Sequence, residues 1–193
     1  TFVYDWIGPN GFTSTLNTNI IANISLEGTY IVTVTDDLGC SDSSSVFINE
    51  PDPLTILNVN VTDVNCNGGN DGTVFVNVLG GTGPYSFDYG GNNPNQLSAG
   101  NYTVIISDVN NCPSVSTNFS INEPLTISGN PIVSDISCYN FQDGYILLSM
   151  SGGTSPYSYL WSGPNGFSSI SEDILGLSEG NYSLDIIDAN GCV

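Results

Sequence analysis

Short segments rich in Val, Ile, Tyr and Thr recur roughly every 8–12 residues, separated by clusters of Gly, Asn, Pro and Asp. Branched and aromatic residues suit a pleated, half-buried surface, and the intervening residue types suit turns. In the middle of the chain the pattern predicts strands at about Leu54–Val61, Thr73–Leu79, Tyr85–Tyr89, Asn101–Ser107 and Ser116–Ile121. No segment of helix length carries a 3.6-residue apolar period. The pattern therefore predicts an all-β chain.

The segments repeat. Leu26-Glu27-Gly28-Thr29-Tyr30 runs into a strand and closes on Gly39-Cys40. Leu97-Ser98-Ala99-Gly100-Asn101-Tyr102 does the same and closes on Asn111-Cys112, and Leu177-Ser178-Glu179-Gly180-Asn181-Tyr182 closes on Gly191-Cys192. Cys40 and Cys112 lie 72 residues apart, as do Cys66 and Cys138, while Cys112 and Cys192 lie 80 apart. Ile48-Asn49-Glu50-Pro51 matches Ile121-Asn122-Glu123-Pro124, and Gly80-Gly81-Thr82-Gly83-Pro84-Tyr85 matches Gly152-Gly153-Thr154-Ser155-Pro156-Tyr157. The stretch from Trp6 to Phe12 matches that from Trp161 to Phe167 and is missing from the middle copy, which accounts for most of the difference in spacing. Fixed-period self-similarity marks a tandem repeat. The expected units are residues 1–51, the C-terminal part of one copy; 52–124, a complete copy; and 125–193, a copy lacking its last strand. A chain that opens in mid-pattern is expected to be a fragment of a longer one.

Composition changes this picture by exclusion. The chain has no Lys, Arg or His and 19 acidic residues. Nothing neutralises phosphate, so nucleic acid binding and basic attraction to anionic lipid are excluded. Catalysis lacks its usual base, ammonium nucleophile and guanidinium clamp, and paired acids such as Asp36–Asp37 and Glu172–Asp173 have no cleft to face across in copies this small. The expectation is that the chain is not an enzyme and needs no cofactor. No apolar run approaches the ~18–20 residues of a membrane span. A polyanion repels its own copies, which suits an extended surface protein.

Five cysteines are an odd number. Cys66 precedes the second strand of the middle copy and Cys112 follows the strand that begins at Tyr102; Cys138 and Cys192 hold the same places in the third. The simplest pairing is Cys66–Cys112 and Cys138–Cys192, with Cys40 unpaired here because its partner would precede Thr1. Each bond closes a loop worth roughly 3–4 kcal/mol, useful to a small core, and implies export to an oxidising compartment. The alternative is free thiols in a cytosolic protein. No Cys-x-x-Cys spacing suggests zinc.

Taken together, Cys66-Asn67-Gly68-Gly69-Asn70-Asp71-Gly72, the Gly-Gly-Thr-x-Pro-Tyr turn, the Leu-x-x-Gly-x-Tyr to Asp-x-x-x-Cys closing and the Ile-Asn-Glu-Pro exit resemble the SprB repeat of Bacteroidota surface proteins. The Trp-x-Gly-Pro-Asn-Gly-Phe insert more weakly resembles polycystic-kidney-disease-type and Ig-like repeats, whose Trp-Asp-Phe-Gly-Asp-Gly signature is absent. The resemblance implies a very large adhesin on the bacterial cell surface, exported by type IX secretion and in some species carrying gliding motility. The implied fold is a tandem of small Ig-like β-sandwich repeats stapled by disulfides into an elongated rod. The copies would serve as a stalk whose partners are neighbouring repeats, with any surface or glycan ligand bound through other regions.

Sharper sites can be named. Tyr30, Tyr102 and Tyr182 sit where a tyrosine corner would start a strand. Asn67, Asn70, Asp71 and Asp108 are weak Ca²⁺ candidates if they converge at one end of the sandwich, although Asn-Asp-Gly is foremost a turn signal and Asp36, Asp108 and Asp188 suit Asx caps. Trp6, Trp161, Tyr85 and Tyr157 are glycan candidates if exposed and core residues if not.

Overall fold

A computed structural model of the chain describes residues 1–18 and 27–193, which leaves Leu26 of the first closing motif outside the described residues. The first copy contributes β1 (Phe2–Ile7), β2 (Thr13–Ser14), β3 (Gly28–Asp36) and β4 (Ser41–Ile48). They form one antiparallel sheet in the order β2-β1-β3-β4. The middle copy contributes β5 (Thr55–Thr62), β6 (Thr73–Leu79), β7 (Ser86–Asp88), β8 (Gly100–Ser107) and β9 (Val115–Ile121), arranged as the sheets β5-β6 and β7-β8-β9. The third contributes β10 (Ser128–Ser134), β11 (Gly144–Ser151), β12 (Ser158–Ser162), β13 (Ser168–Ser169), β14 (Ile174–Leu177) and β15 (Ser183–Ile187), as the sheets β10-β11-β14 and β13-β12-β15. The only helical pieces among the described residues are 3₁₀ turns at Pro9–Gly11 and Pro164–Gly166.

The pleat sends alternate residues of a strand to opposite faces. In β8, Val104 and Ile106 are fully buried while Ile105 between them is exposed. Val74 and Val76 of β6, and Phe119 and Ile121 of β9, point into the same core, joined by Leu54, Val64 and Leu97. The two sheets of the middle copy thus enclose one hydrophobic cluster. A second, smaller cluster lies in the third copy around Ile146, Leu148, Trp161, Ile174 and Leu177.

Pairing registers define two poles for each copy. In the middle copy Thr55 lies opposite Leu79, and Gly81 N donates to Asp52 O at 2.6 Å. Thr82 N donates to Asp108 Oδ2 at 3.1 Å, which brings the β8–β9 hairpin loop to this upstream pole. At the other end Thr62 lies opposite Thr73, and Val64 N donates to Asn122 O at 3.1 Å, so the β5–β6 loop and the exit of β9 share the downstream pole. An eight-residue strand rises about 3.3 Å per residue, which separates the poles by about 25 Å.

Glycine is required where the linker meets the upstream pole. Gly80 has φ +74°, and a Cβ there would lie 2.1 Å from Pro53 O; Gly152 repeats this with φ +72° and 2.0 Å from Thr126 O. The Gly-Gly steps of the middle and third copies therefore seat the linkers that lead into them. The Gly83–Pro84 and Ser155–Pro156 peptide bonds that follow are cis.

Candidate functional site: the joint between copies

The Cys66 and Cys192 sulfurs are bonded across the boundary between the middle and third copies, 126 residues apart in sequence. The expected pairs Cys66–Cys112 and Cys138–Cys192 are corrected by this arrangement. Cys112 and Cys138, like Cys40, are free and exposed. The reason is topological. Cys66 lies in the β5–β6 loop at the downstream pole, whereas Cys112 lies in the β8–β9 loop at the upstream pole of the same copy. Three strands, β6, β7 and β8, separate them in sequence, and an odd number of traversals ends at the opposite pole. Cys192, in the upstream loop of the next copy, is the cysteine that meets Cys66.

Hydrogen bonds surround the staple. Asn67 Nδ2 donates to Pro124 O at 3.0 Å, and its Oδ1 accepts from Thr126 Oγ1 at 3.2 Å. Gly68 N donates to the Glu123 carboxylate at 2.6 Å, and Asn122 N to Asp63 Oδ1 at 2.7 Å. From the third copy, Asn190 Nδ2 donates to Asn65 O at 3.1 Å. The Asn-Glu-Pro linker is thus bound along the loop of the copy it leaves, and the closing turn of the next copy, Asp188–Cys192, lies over that loop. Asn65, Glu123 and Asn190 belong to this joint, and nothing in the spacing of a single copy singles them out.

The aspartates that open each closing turn hold its shape. Asp108 Oδ1 accepts from the N–H groups of Asn110 (3.1 Å) and Cys112 (2.9 Å). Asp188 Oδ1 accepts from Asn190 and Cys192, both at 2.9 Å, while its Oδ2 accepts from Thr154 N at 2.8 Å. Asp36 does likewise with Leu38 (2.8 Å) and Cys40 (2.9 Å). Asp108 and Asp188 are 4% and 5% exposed, so each is a buried charge satisfied by backbone donors. The Cys112 N–H, foremost, holds the Asp108 carboxyl below its ordinary range despite burial. Burial pushes Asp188 up, and the N–H groups of Cys192, Thr154, Asn190 and Gly191 outweigh it, leaving a lowered value. A hydrogen bond to Asp108 in turn pushes the Cys112 thiol up. At the downstream pole, Asp71 is lowered by the Asn65 N–H and then its side-chain amide, and Asp143 by the Ser137 hydroxyl and then its N–H.

These poles separate the Ca²⁺ candidates. Asn67, Asn70 and Asp71 lie in the downstream loop and Asp108 in the upstream one, so the four do not converge at one end. Asp71 accepts from Asn65 N at 3.1 Å and Asn65 Nδ2 at 2.5 Å. Among the described residues no three His, Cys, Asp or Glu side chains gather as a metal cluster would require.

The aromatic candidates face inward to different degrees. Tyr102 and Tyr182 hydroxyls donate to Ser98 O (2.9 Å) and Ser178 O (3.1 Å), the bond of a tyrosine corner. Tyr30 is buried. The Trp-to-Phe insert explains itself against these rings: Phe12 packs edge-on to Tyr30 and Phe167 to Tyr182, each with centroids 5.3 Å apart. In the middle copy, which lacks the insert, Phe119 of β9 stacks on Tyr102 instead at 5.5 Å. Trp161 is buried in the third core with Nε1 donating to Ser171 O at 3.0 Å, and Trp6 is half-buried with Nε1 on Leu16 O at 2.9 Å. Tyr85 and Tyr157 are also half-buried, their hydroxyls donating to Gly80 O and Gly152 O. Of the paired acids, Asp173 accepts from Leu148 N at 2.8 Å.

A family model described as the SprB repeat matches residues 58–93 and 130–166. These two segments match the SprB repeat. The matches run from β5 to the turn after β7 and from β10 to the second 3₁₀ turn, the front part of each copy. The described residues of 1–51 form β1 to β4, which match the back part of a copy. The joint built on Cys66, Asn67 and Glu123 therefore connects the two copies whose front parts match the SprB repeat. No curated protein matches the chain.

Proposed function

We propose that this chain is a length of stalk from a cell-surface adhesin, in which SprB repeats of Ig-like sandwich form follow one another pole to pole as a semi-rigid rod. The observation that carries this reading is the joint: a short Pro-containing linker hydrogen-bonded along the loop of the copy it leaves, with the Cys66–Cys192 bond crossing from that loop to the next copy. Such a connection opposes bending, unlike a Gly/Ser tether. Repeats that contact only their nearest neighbours build length in proportion to their number. A net charge of −19 keeps neighbouring stalks apart and soluble. The family resemblance supports an extracellular location, export by type IX secretion and, in gliding species, a part in motility; no described helix is long and apolar enough to cross a membrane. Adhesive specificity then belongs to other regions of the protein. On this reading the repeats have neither enzymatic activity nor a cofactor.

Two measurements test the reading. Antibodies raised against the chain should label intact cells of the source bacterium, and labelling only after lysis contradicts a surface stalk. Melting the chain with and without Ca²⁺ should give the same midpoint, and a clear rise with Ca²⁺ would move the function to a ligand-binding module.

A further inference from the structure

Three cysteines have no partner in this chain, yet all three are held as the bonded pair is held, Cys40 by its N–H on Asp36 Oδ1 at 2.9 Å after Gly39 at φ 85°. Cys112 N donates to Asp108 Oδ1 at 2.9 Å, as Cys192 N does to Asp188 Oδ1. Both follow a residue of positive φ, Asn111 at 55° and Gly191 at 83°. Cys138 O accepts from Phe141 N at 3.0 Å, as Cys66 O does from Gly69 N at 2.9 Å. The flanking aspartates repeat as well: Asp143 Oδ1 accepts from Ser137 N at 2.9 Å and Asp71 Oδ1 from Asn65 N at 3.1 Å. Cys112 is thus an upstream-pole cysteine like Cys192, and Cys138 a downstream-pole cysteine like Cys66. They lie at the two outer ends of the joined pair of copies and cannot bond each other.

Their surroundings carry the features of a joint without its second half. The linker before the middle copy, Ile48-Asn49-Glu50-Pro51, has the sequence of the one whose Glu123 binds Gly68. In the Cys138 loop, Tyr139 is 81% exposed at the place where Asn67 lies against the linker in the formed joint. A reactive-thiol role fits Cys112 poorly, because Asp108 pushes its thiol up and leaves little thiolate at neutral pH.

We propose that Cys112 and Cys138 are the open halves of the same inter-repeat staple, each bonding a cysteine of the opposite pole on a further copy of this repeat. Cys112 takes a cysteine of the Cys66 kind, and Cys138 one of the Cys192 kind. Each bond joins two thiol sulfurs with loss of two protons and two electrons. A disulfide-bearing thiol oxidoreductase of the exported compartment accepts both, its own disulfide becoming a dithiol. A stack so built is covalently closed at every joint, one bond per boundary, with no bond inside a copy. The proposal rests on the pole-to-pole stacking above, but not on what the stalk adheres to.

The test is disulfide mapping of the protein isolated from its source, alkylated without reduction and cut at acidic residues, since the chain offers trypsin no site. The expected result is Cys112 joined to a peptide from a Cys66-type loop and Cys138 joined to one from a Cys192-type loop. The mass of the unreduced, denatured protein distinguishes neighbours within one polypeptide from copies on separate chains. Alkylated Cys112 or Cys138, or a Cys66–Cys112 or Cys138–Cys192 bond, overturns the proposal. The oxidised 193-residue chain alone should give a Cys66–Cys192 bond and alkylation at Cys40, Cys112 and Cys138; in-copy bonds there overturn it too. Free Cys112 in a protein whose surface location is established would defeat the staple and leave the stalk reading intact.

Discussion

Replacing Cys66 and Cys192 together by Ala removes the staple without leaving a lone thiol, and the third copy should bear the loss. Its buried cluster has five residues against nine in the middle copy, so it unfolds first. With the bond intact, its unfolded chain remains anchored at the linker on the middle copy and again at Cys192. That closes a loop of about 70 residues, and releasing it should destabilise the third copy by about 4 kcal/mol in the chain-entropy model. At an m-value of about 1–2 kcal/mol/M, the urea midpoint should fall by about 2–4 M. Trp161 reports the transition, because it is buried in that core and the middle copy contains no Trp. Trp6→Phe in both proteins removes the first copy's signal. A midpoint shift below about 0.5 M would mean that the bond does not restrain the third copy and so does not join the two.

Three further outcomes follow from single side chains. Gly163→Ala places a Cβ 2.6 Å from the Tyr182 ring, which is pinned by its hydroxyl, so overpacking should cost about 1–3 kcal/mol in urea unfolding; a neutral result would mean the ring is free to move. Tyr102→Phe removes the bond to Ser98 O and should cost the middle copy about 0.5–1.5 kcal/mol, read by circular dichroism, with a larger loss pointing to a disturbed stack on Phe119. Asp188 is lowered in the folded state, so the stability it confers is complete above the unfolded value of about 3.9 and is lost as pH falls through its lower folded value. Asp188→Asn should therefore melt earlier than the parent at pH 7 and converge with it in acid, whereas a gap unchanged down to pH 2 would contradict that cause.

Strand positions were legible because each copy alternates its core residues with period two. The strands expected at Thr73–Leu79 and Asn101–Ser107 are found at Thr73–Leu79 and Gly100–Ser107. β7 is shorter than its expected segment, since Tyr85 turns back to Gly80 O and leaves the strand. The SprB repeat was legible from its loops, where the Gly-Gly step has a backbone reason to be glycine. The cysteine pairing was misread because sequence spacing gives closeness along the chain and says nothing of which pole a loop occupies. Counting the three strands between Cys66 and Cys112 would have placed them apart. The joint was invisible for a related reason: its contacts link Asn65 to Asn190 and Cys66 to Cys192, residues of different copies, while the repeat pattern compares like with like.

Pole-to-pole stacking of these copies sets the overall dimensions of the oxidised chain, which small-angle X-ray scattering measures. A compact globule of this length would have a radius of gyration of about 16 Å. Copies whose strands span about 25 Å between poles, with loops and linkers added, make a stack about 100 Å long and predict a value of about 25–30 Å. A radius of gyration near 16 Å would mean that the copies fold against one another and do not stack.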